Sequence, residues 1–292
     1  MVRDRSAGRN VHIYRASEYD RALGGLILNP SVTERIFLFM LEILIVSSDP
    51  YEVVMRDTGV IVTPTDEPLK PGHYDIKSKS QGGMITFTDE PCITRVYSRT
   101  RSGRNETFRN EVRERDGKCV ITGRLNKGAY RNDWTGFEAA HVFSLSHGQL
   151  FKESGFSRWI TNRVSETDLG INSCQNGLLM LSSVHQLFDS FLFSINPDDN
   201  YRIVSFDDDS LEVDGRILDA TCRVPNDEKS VRDQLLRWHF RQAVFANMRG
   251  AGEPIFETDF PPGSDMMGEI IGGPEAAKRM ETELFLRMDE VS

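Results

Sequence analysis

The sequence predicts an α+β chain, and three observations predict it. Short, turn-punctuated β candidates fill the first ninety residues, a strand–turn–helix run lies between 137 and 190, and a long helical stretch stands near the end. The predicted division is an α+β region over 1–94, a central mixed region over 95–206, and an acidic, mostly helical segment over 207–292.

The first helix is predicted over Ser31–Ile45, opened by Asn29-Pro30-Ser31 with Glu34 completing a capping box. Its apolar run, Ile36–Val46, is too short to span a bilayer and contains Glu42, so it reads as a buried helix. Tyr51–Met55, Gly59–Thr63 and His73–Ile76 follow as strands, separated by Gly59, Pro64, Pro68 and Pro71-Gly72. Residues 80–104 mix Gly, Ser and Arg, which predicts an exposed connection. Glu106–Asp116 reads as a helix stopped by Gly117, with Phe108 and Val112 on one face.

A short strand is predicted at Lys118–Thr122 and another at Phe137–Phe143. Residues 148–172 form a long insertion anchored by Phe151, Phe156 and Trp159. Leu178–Leu181 is apolar, and Ser182-Ser183 can cap a helix running to Ser190. The turn NPDDN between Phe191–Ile195 and Tyr201–Phe206 predicts a hairpin. Glu228–Arg249 is a helix ended by Gly250, residues 251–272 are a Gly/Pro-rich connection, and Pro274–Met288 is a last amphipathic, acidic helix.

An apolar fraction of 39% and a charged fraction of 27% belong to an ordinary globular protein. The polar start lacks a charged-then-apolar leader, and no membrane partner is expected. The four cysteines form no close pair, which argues against structural zinc and for free thiols in a reducing compartment. An intracellular location, nuclear or cytoplasmic, is the expectation.

Net charge of −9 argues at first against a nucleic-acid partner. Its distribution says otherwise. Residues 95–131 carry 11 Lys and Arg against 4 Asp and Glu, a local +7, whereas residues 206–292 carry 10 against 19, a local −9. A basic stripe attracts phosphates whatever the rest of the molecule carries, although most such runs are only solvated helix faces.

The chemistry-bearing residues sit in the central region. They are a His on a strand (EAAH, His141), an Asn in a turn (QNGL, Asn176) and a His on a helix (SSVHQLFDS, His185), with Asp189 one helical turn further. Singly, each has a plain structural reading as a core imidazole, a turn residue or a solvated helix residue. Phosphodiester hydrolysis needs a base for the attacking water, which neutral imidazole supplies near pH 7. It also needs a divalent cation for the charge that grows on phosphorus and the departing oxygen. His12, His73, His147 and His239 are read as surface, loop or packing residues.

The segments RDGKCVITG (115–123), EAAHVF (138–143), NSCQNGLLM (172–180) and SSVHQLFDSFLFSI (182–195) together resemble the HNH endonuclease family, in particular the branch common in fungal proteins of uncharacterised role. The resemblance covers roughly Arg95 to Phe206 and implies a ββα-metal finger, two strands and a helix around one ion. It implies His141 as general base, Asn176 as the residue pinning the loop that orients His141, His185 as metal ligand and Asp189 as a second ligand. The implied cofactor is a divalent ion, Mg²⁺ first, with Mn²⁺, Ni²⁺ or Zn²⁺ as alternatives. One departure stands out. Many members carry Asp or His just before the base, and this chain has Ala140. Glu138 is not expected to help, because on a strand it points away from His141.

Arg99, Arg101, Arg104, Arg109 and Arg113 are expected to grip phosphates without reading sequence, with double-stranded DNA as the first substrate and RNA as the alternative. Two other readings accompany the enzyme. In one, a degenerate module binds nucleic acid or protein without cutting, and the acidic segment covers the basic stripe. In the other, the scaffold performs acid–base chemistry on a small molecule with His141 and Asp189; no phosphate-cradling Gly loop or G-x-S-x-G motif supports it.

Overall fold

The computed structural model describes residues 2–3, 5–93, 103–163, 165, 167–253, 255–256, 266–272, 276–277 and 280. In chain order the strands and helices are β1 (Val2–Arg3), β2 (Val11–Arg15), β3 (Glu18–Leu26), α1 (Glu34–Leu44), β4 (Ile45–Val46), β5 (Tyr51–Met55), β6 (Gly72–Ser78) and β7 (Thr86–Phe87). Then come α2 (Gly103–Asp116), β8 (Phe137–His141), α3 (Gly148–Glu153), β9 (Gly177–Leu181), α4 (Ser182–Asp189), β10 (Phe193–Asn196), β11 (Arg202–Ser205), α5 (Asp233–Met248), β12 (Ile255–Phe256) and α6 (Met266–Gly272). The mixture is α+β, as the sequence predicts.

The first region builds a four-stranded sheet in the order β3-β2-β6-β5, with β2 and β6 parallel and the other pairs antiparallel. Ile36, Phe37, Met40, Leu41 and Leu44 recur at helical spacing and bury one face of α1 against Val11, Ile13, Val53, Tyr74 and Ile76. The helix opens three residues later than predicted. Thr33 is its N-cap, accepting from the Ile36 amide, while Ser31 is drawn off to the Asp214 carboxylate through both its amide and its hydroxyl.

In the central region β8 and β9 form an antiparallel hairpin, with His141 opposite Gly177 and Phe137 opposite Leu181. Its two faces are covered by different helices. Ala140, Leu178 and Met180 pack with Val184 and Phe188 of α4, while Leu179 and the half-buried Phe137 and Ala139 pack with Phe108 and Val112 of α2. The predicted strand at Lys118–Thr122 is a turn instead. Its residues Cys119, Val120 and Ile121 are buried, but pairing is limited to an isolated antiparallel bridge between Lys118 and Leu125, closed by the Cys119 amide on the Arg124 carbonyl, while the Val120 amide donates to the Leu179 carbonyl.

Helix α5 serves both cores. Leu235 and Leu236 join the core of the hairpin, and Phe240, Ala243–Ala246 and Met248 join that of the first sheet. Gly24 on β3 permits the approach, because a Cβ there would lie 1.8 Å from the Met248 carbonyl oxygen. Arg5 fastens the same junction, donating to the Ser190 and Glu253 carbonyls and to Asn247. The predicted helix at Pro274–Met288 falls mostly outside the described residues. Among the described residues no helix is long and apolar enough to cross a membrane.

Candidate active site

The sequence places His141 at the last position of β8, where alternation sends it to the face that α2 covers. There its ring stacks on Phe108, with centroids 3.8 Å apart and planes within 10°. The register makes this possible. Gly177 stands opposite His141, and any Cβ at that position would come within 2.5 Å of Phe108 and 2.6 Å of Val112.

Asn176 is fully buried and fixes the chain just beyond His141. Its side chain accepts from the Phe143 amide at 2.7 Å and donates to the Phe143 and Ile171 carbonyls at 2.9 and 2.8 Å. Its own carbonyl accepts from the Val142 amide. The neighbouring Gln175 does the same for the insertion, accepting from the Thr161 and Asn162 amides. Beneath both, the buried Arg115 donates to the Cys174 and Gly177 carbonyls and pairs with Asp116, whose carboxylate also accepts from the Leu179 amide. Burial pushes the Asp116 carboxyl above its ordinary range despite that pairing.

His185 rises from α4 on the other face of the hairpin. Its Nδ1 lies 2.6 Å from Glu138 Oε2, and its Nε2 lies 3.1 Å from Asp189 Oδ2. The contact between Glu138 and His185 is one that the sequence does not foretell. Alternation does turn Glu138 from His141, but toward the face on which α4 and His185 lie. The hydrogen bond from His185 holds the Glu138 carboxyl below its ordinary value, against partial desolvation that pushes it up. At the back of α4, the buried His239 stacks on Phe188 at 3.7 Å and bonds the Ser194 hydroxyl, a packing role that steadies the helix.

The His-bearing strand, the buried Asn at its exit and the His-bearing helix all fall within one stretch that a family model matches. Residues 119–196 match the HNH endonuclease family. Residues 8–83 match a domain of unknown function, DUF8573. No curated protein and no solved structure matched the chain. At the level of the family, the HNH segment implies nuclease-type hydrolysis of nucleic acid.

The family implies a divalent ion, and the donors of the HNH segment can be tested for it. A neutral imidazole has one N–H and one lone pair, yet carboxylates address both nitrogens of His185. That arrangement calls for positive charge, either a second proton or a cation. The 3.1 Å between Nε2 and Asp189 Oδ2 also suits neighbouring ligands on one ion, which stand about 3 Å apart when each bond is about 2.1 Å. Among the described residues, no group of three or more His, Cys, Asp or Glu forms a metal cluster. The donor set therefore fits an ion held by two protein ligands, with water and phosphate supplying the rest.

Of the five arginines singled out, Arg109 and Arg113 lie on α2 with half-buried side chains, and Arg113 stands over the Trp134 ring at 4.9 Å. Burial and the neighbouring Arg109 lower the Arg113 pKa from its ordinary value. Only the backbone of Arg104 is described, and Arg99 and Arg101 fall outside the described residues. The four cysteines are free thiols, three of them buried.

Proposed function

We propose that the HNH segment is a divalent-metal-dependent phosphodiesterase acting on nucleic acid, with double-stranded DNA as substrate and weak sequence preference. The observation that carries this reading is the Asn176 clamp on Val142 and Phe143, which fixes the backbone immediately after His141. A base must stay aligned with the attacking water, and a ring stacked on Phe108 behind a locked strand exit has little freedom to drift.

In this mechanism His141 takes the proton from water, and Asn176 holds it in place without touching substrate. His185 and Asp189 hold the ion, Mg²⁺ or Mn²⁺, which stabilises charge on the phosphate and the departing oxygen. Arg109 and Arg113, with the more N-terminal arginines, draw the phosphate backbone toward α2. Purified protein with Mg²⁺ or Mn²⁺ should nick supercoiled plasmid, and His141→Ala should abolish nicking. Equal cutting by both proteins would remove the proposal.

A second reading is a module that binds nucleic acid without cutting it, and the buried Ala140 favours it because that position offers no donor. Salt-dependent DNA binding without metal-stimulated cleavage would select it.

A further inference from the structure

The HNH segment lacks a donor at Ala140, but the same face of β8 presents Glu138 two residues earlier, and α4 lies over that face. The Glu138 carboxylate meets His185 at 2.6 Å on Nδ1, while Asp189 meets the ring at 3.1 Å on Nε2. The two nitrogens of an imidazole point in diverging directions, so a single ion at the Nε2–Asp189 corner is out of reach of Glu138 in this arrangement. Glu138 is thus placed to act on the ring rather than on the ion.

A neutral ring carries one proton, and of two competing carboxylates the nearer one retains it. We propose that Glu138 is a positioning residue: it holds the His185 proton on Nδ1 and so turns the Nε2 lone pair toward Asp189 and the ion. This rests on the metal reading above for the ion, though the choice of tautomer does not. Carboxylates that hydrogen-bond the far nitrogen of a ligating histidine fix its orientation and raise its basicity, and their loss commonly weakens metal affinity about 10- to 100-fold. A strand carboxylate behind the histidine would then compensate for the missing strand ligand beside the base. The side chain of Glu138 is half exposed, so its replacement leaves the core intact.

The test uses the full-length chain, labelled with ¹⁵N-histidine, stripped with EDTA and held at alkaline pH. His185, assigned by its loss in His185→Gln, should give the nitrogen shifts of a ring protonated on Nδ1, and Glu138→Gln should move the proton to Nε2. Titration calorimetry with Mn²⁺ should show Kd rising about 10- to 100-fold in Glu138→Gln while its melting curve stays close to wild type. A wild-type ring protonated on Nε2 overturns the proposal, as does a Glu138→Gln protein that keeps both the Nδ1 proton and the wild-type Kd. Wild-type protein that takes up no Mn²⁺, yet whose Nδ1 proton depends on Glu138, supports the positioning role and removes the metal from the proposed function instead.

Discussion

The ring of His141 lies flat on the ring of Phe108, and the glycine opposite His141 is what lets the two meet. The α2 helix therefore orients the His141 ring as well as filling the core. Phe108→Leu keeps most of the apolar volume and should cost about 1–2 kcal/mol of stability. Metal-stimulated plasmid nicking should nevertheless fall by about tenfold, with DNA affinity unchanged, since about 1.4 kcal/mol of lost alignment is a factor of ten. Wild-type nicking rates in a stably folded Phe108→Leu protein would show that the stack is mere packing.

Asn176→Ala should be among the most destabilising single changes in the chain. It strands the Phe143 amide and leaves the Phe143 and Ile171 carbonyls without their side-chain donor in a buried setting. At about 1–3 kcal/mol for each buried group left unsatisfied, the loss should reach about 3 kcal/mol or more. Urea denaturation would measure it, and a loss below about 1 kcal/mol would mean that the loop readily finds other partners.

Arg109→Gln with Arg113→Gln should weaken DNA binding with little regard to sequence. Every phosphate that the variant no longer neutralises should flatten the plot of log affinity against log salt by about 0.9, so the pair should flatten it by about 1.8. Fluorescence anisotropy across a salt series reads this directly, and an unchanged slope would take α2 out of the interface.

Asp219 supplies a pH test of the fold. Partial burial pushes its carboxyl up, but hydrogen bonds from Lys118 and from the Thr221 amide and hydroxyl more than reverse this, leaving it below the ordinary value of 3.8. A depressed folded-state pKa contributes stability above the unfolded value and loses it as pH falls through the folded one. Asp219→Asn should therefore lower Tm more at pH 7 than at about pH 3. Equal drops at both pH values would contradict the direction of the shift.

How much of the molecule is legible in its sequence follows from where the information sits. The hairpin, its helix and the order His141, Asn176, His185 are readable because period-two and helical patterns and a short motif are local. Strand β3 is not, since EYDRALGGL mixes charges and glycines and owes its place to pairing with β2. The buried run Cys119–Ile121 has the composition of a strand but is a turn sealed by Leu179 and Asp219. What Glu138 meets is not readable from its place relative to His141. Alternation says only that it leaves His141, and which helix waits on the other side is tertiary information.

A helix shared between two cores limits how this chain can be dissected. Leu235 and Leu236 belong to the HNH side, and Phe240, Ala243–Ala246 and Met248 to the side matched by DUF8573. A truncation that discards everything after residue 206 would open both interiors at once and would yield an unfolded fragment rather than an unmasked nuclease. Removal of the acidic end, to ask whether it inhibits, has to begin beyond Glu253, whose amide donates to the Ala246 carbonyl of that helix and whose carbonyl accepts from Arg5.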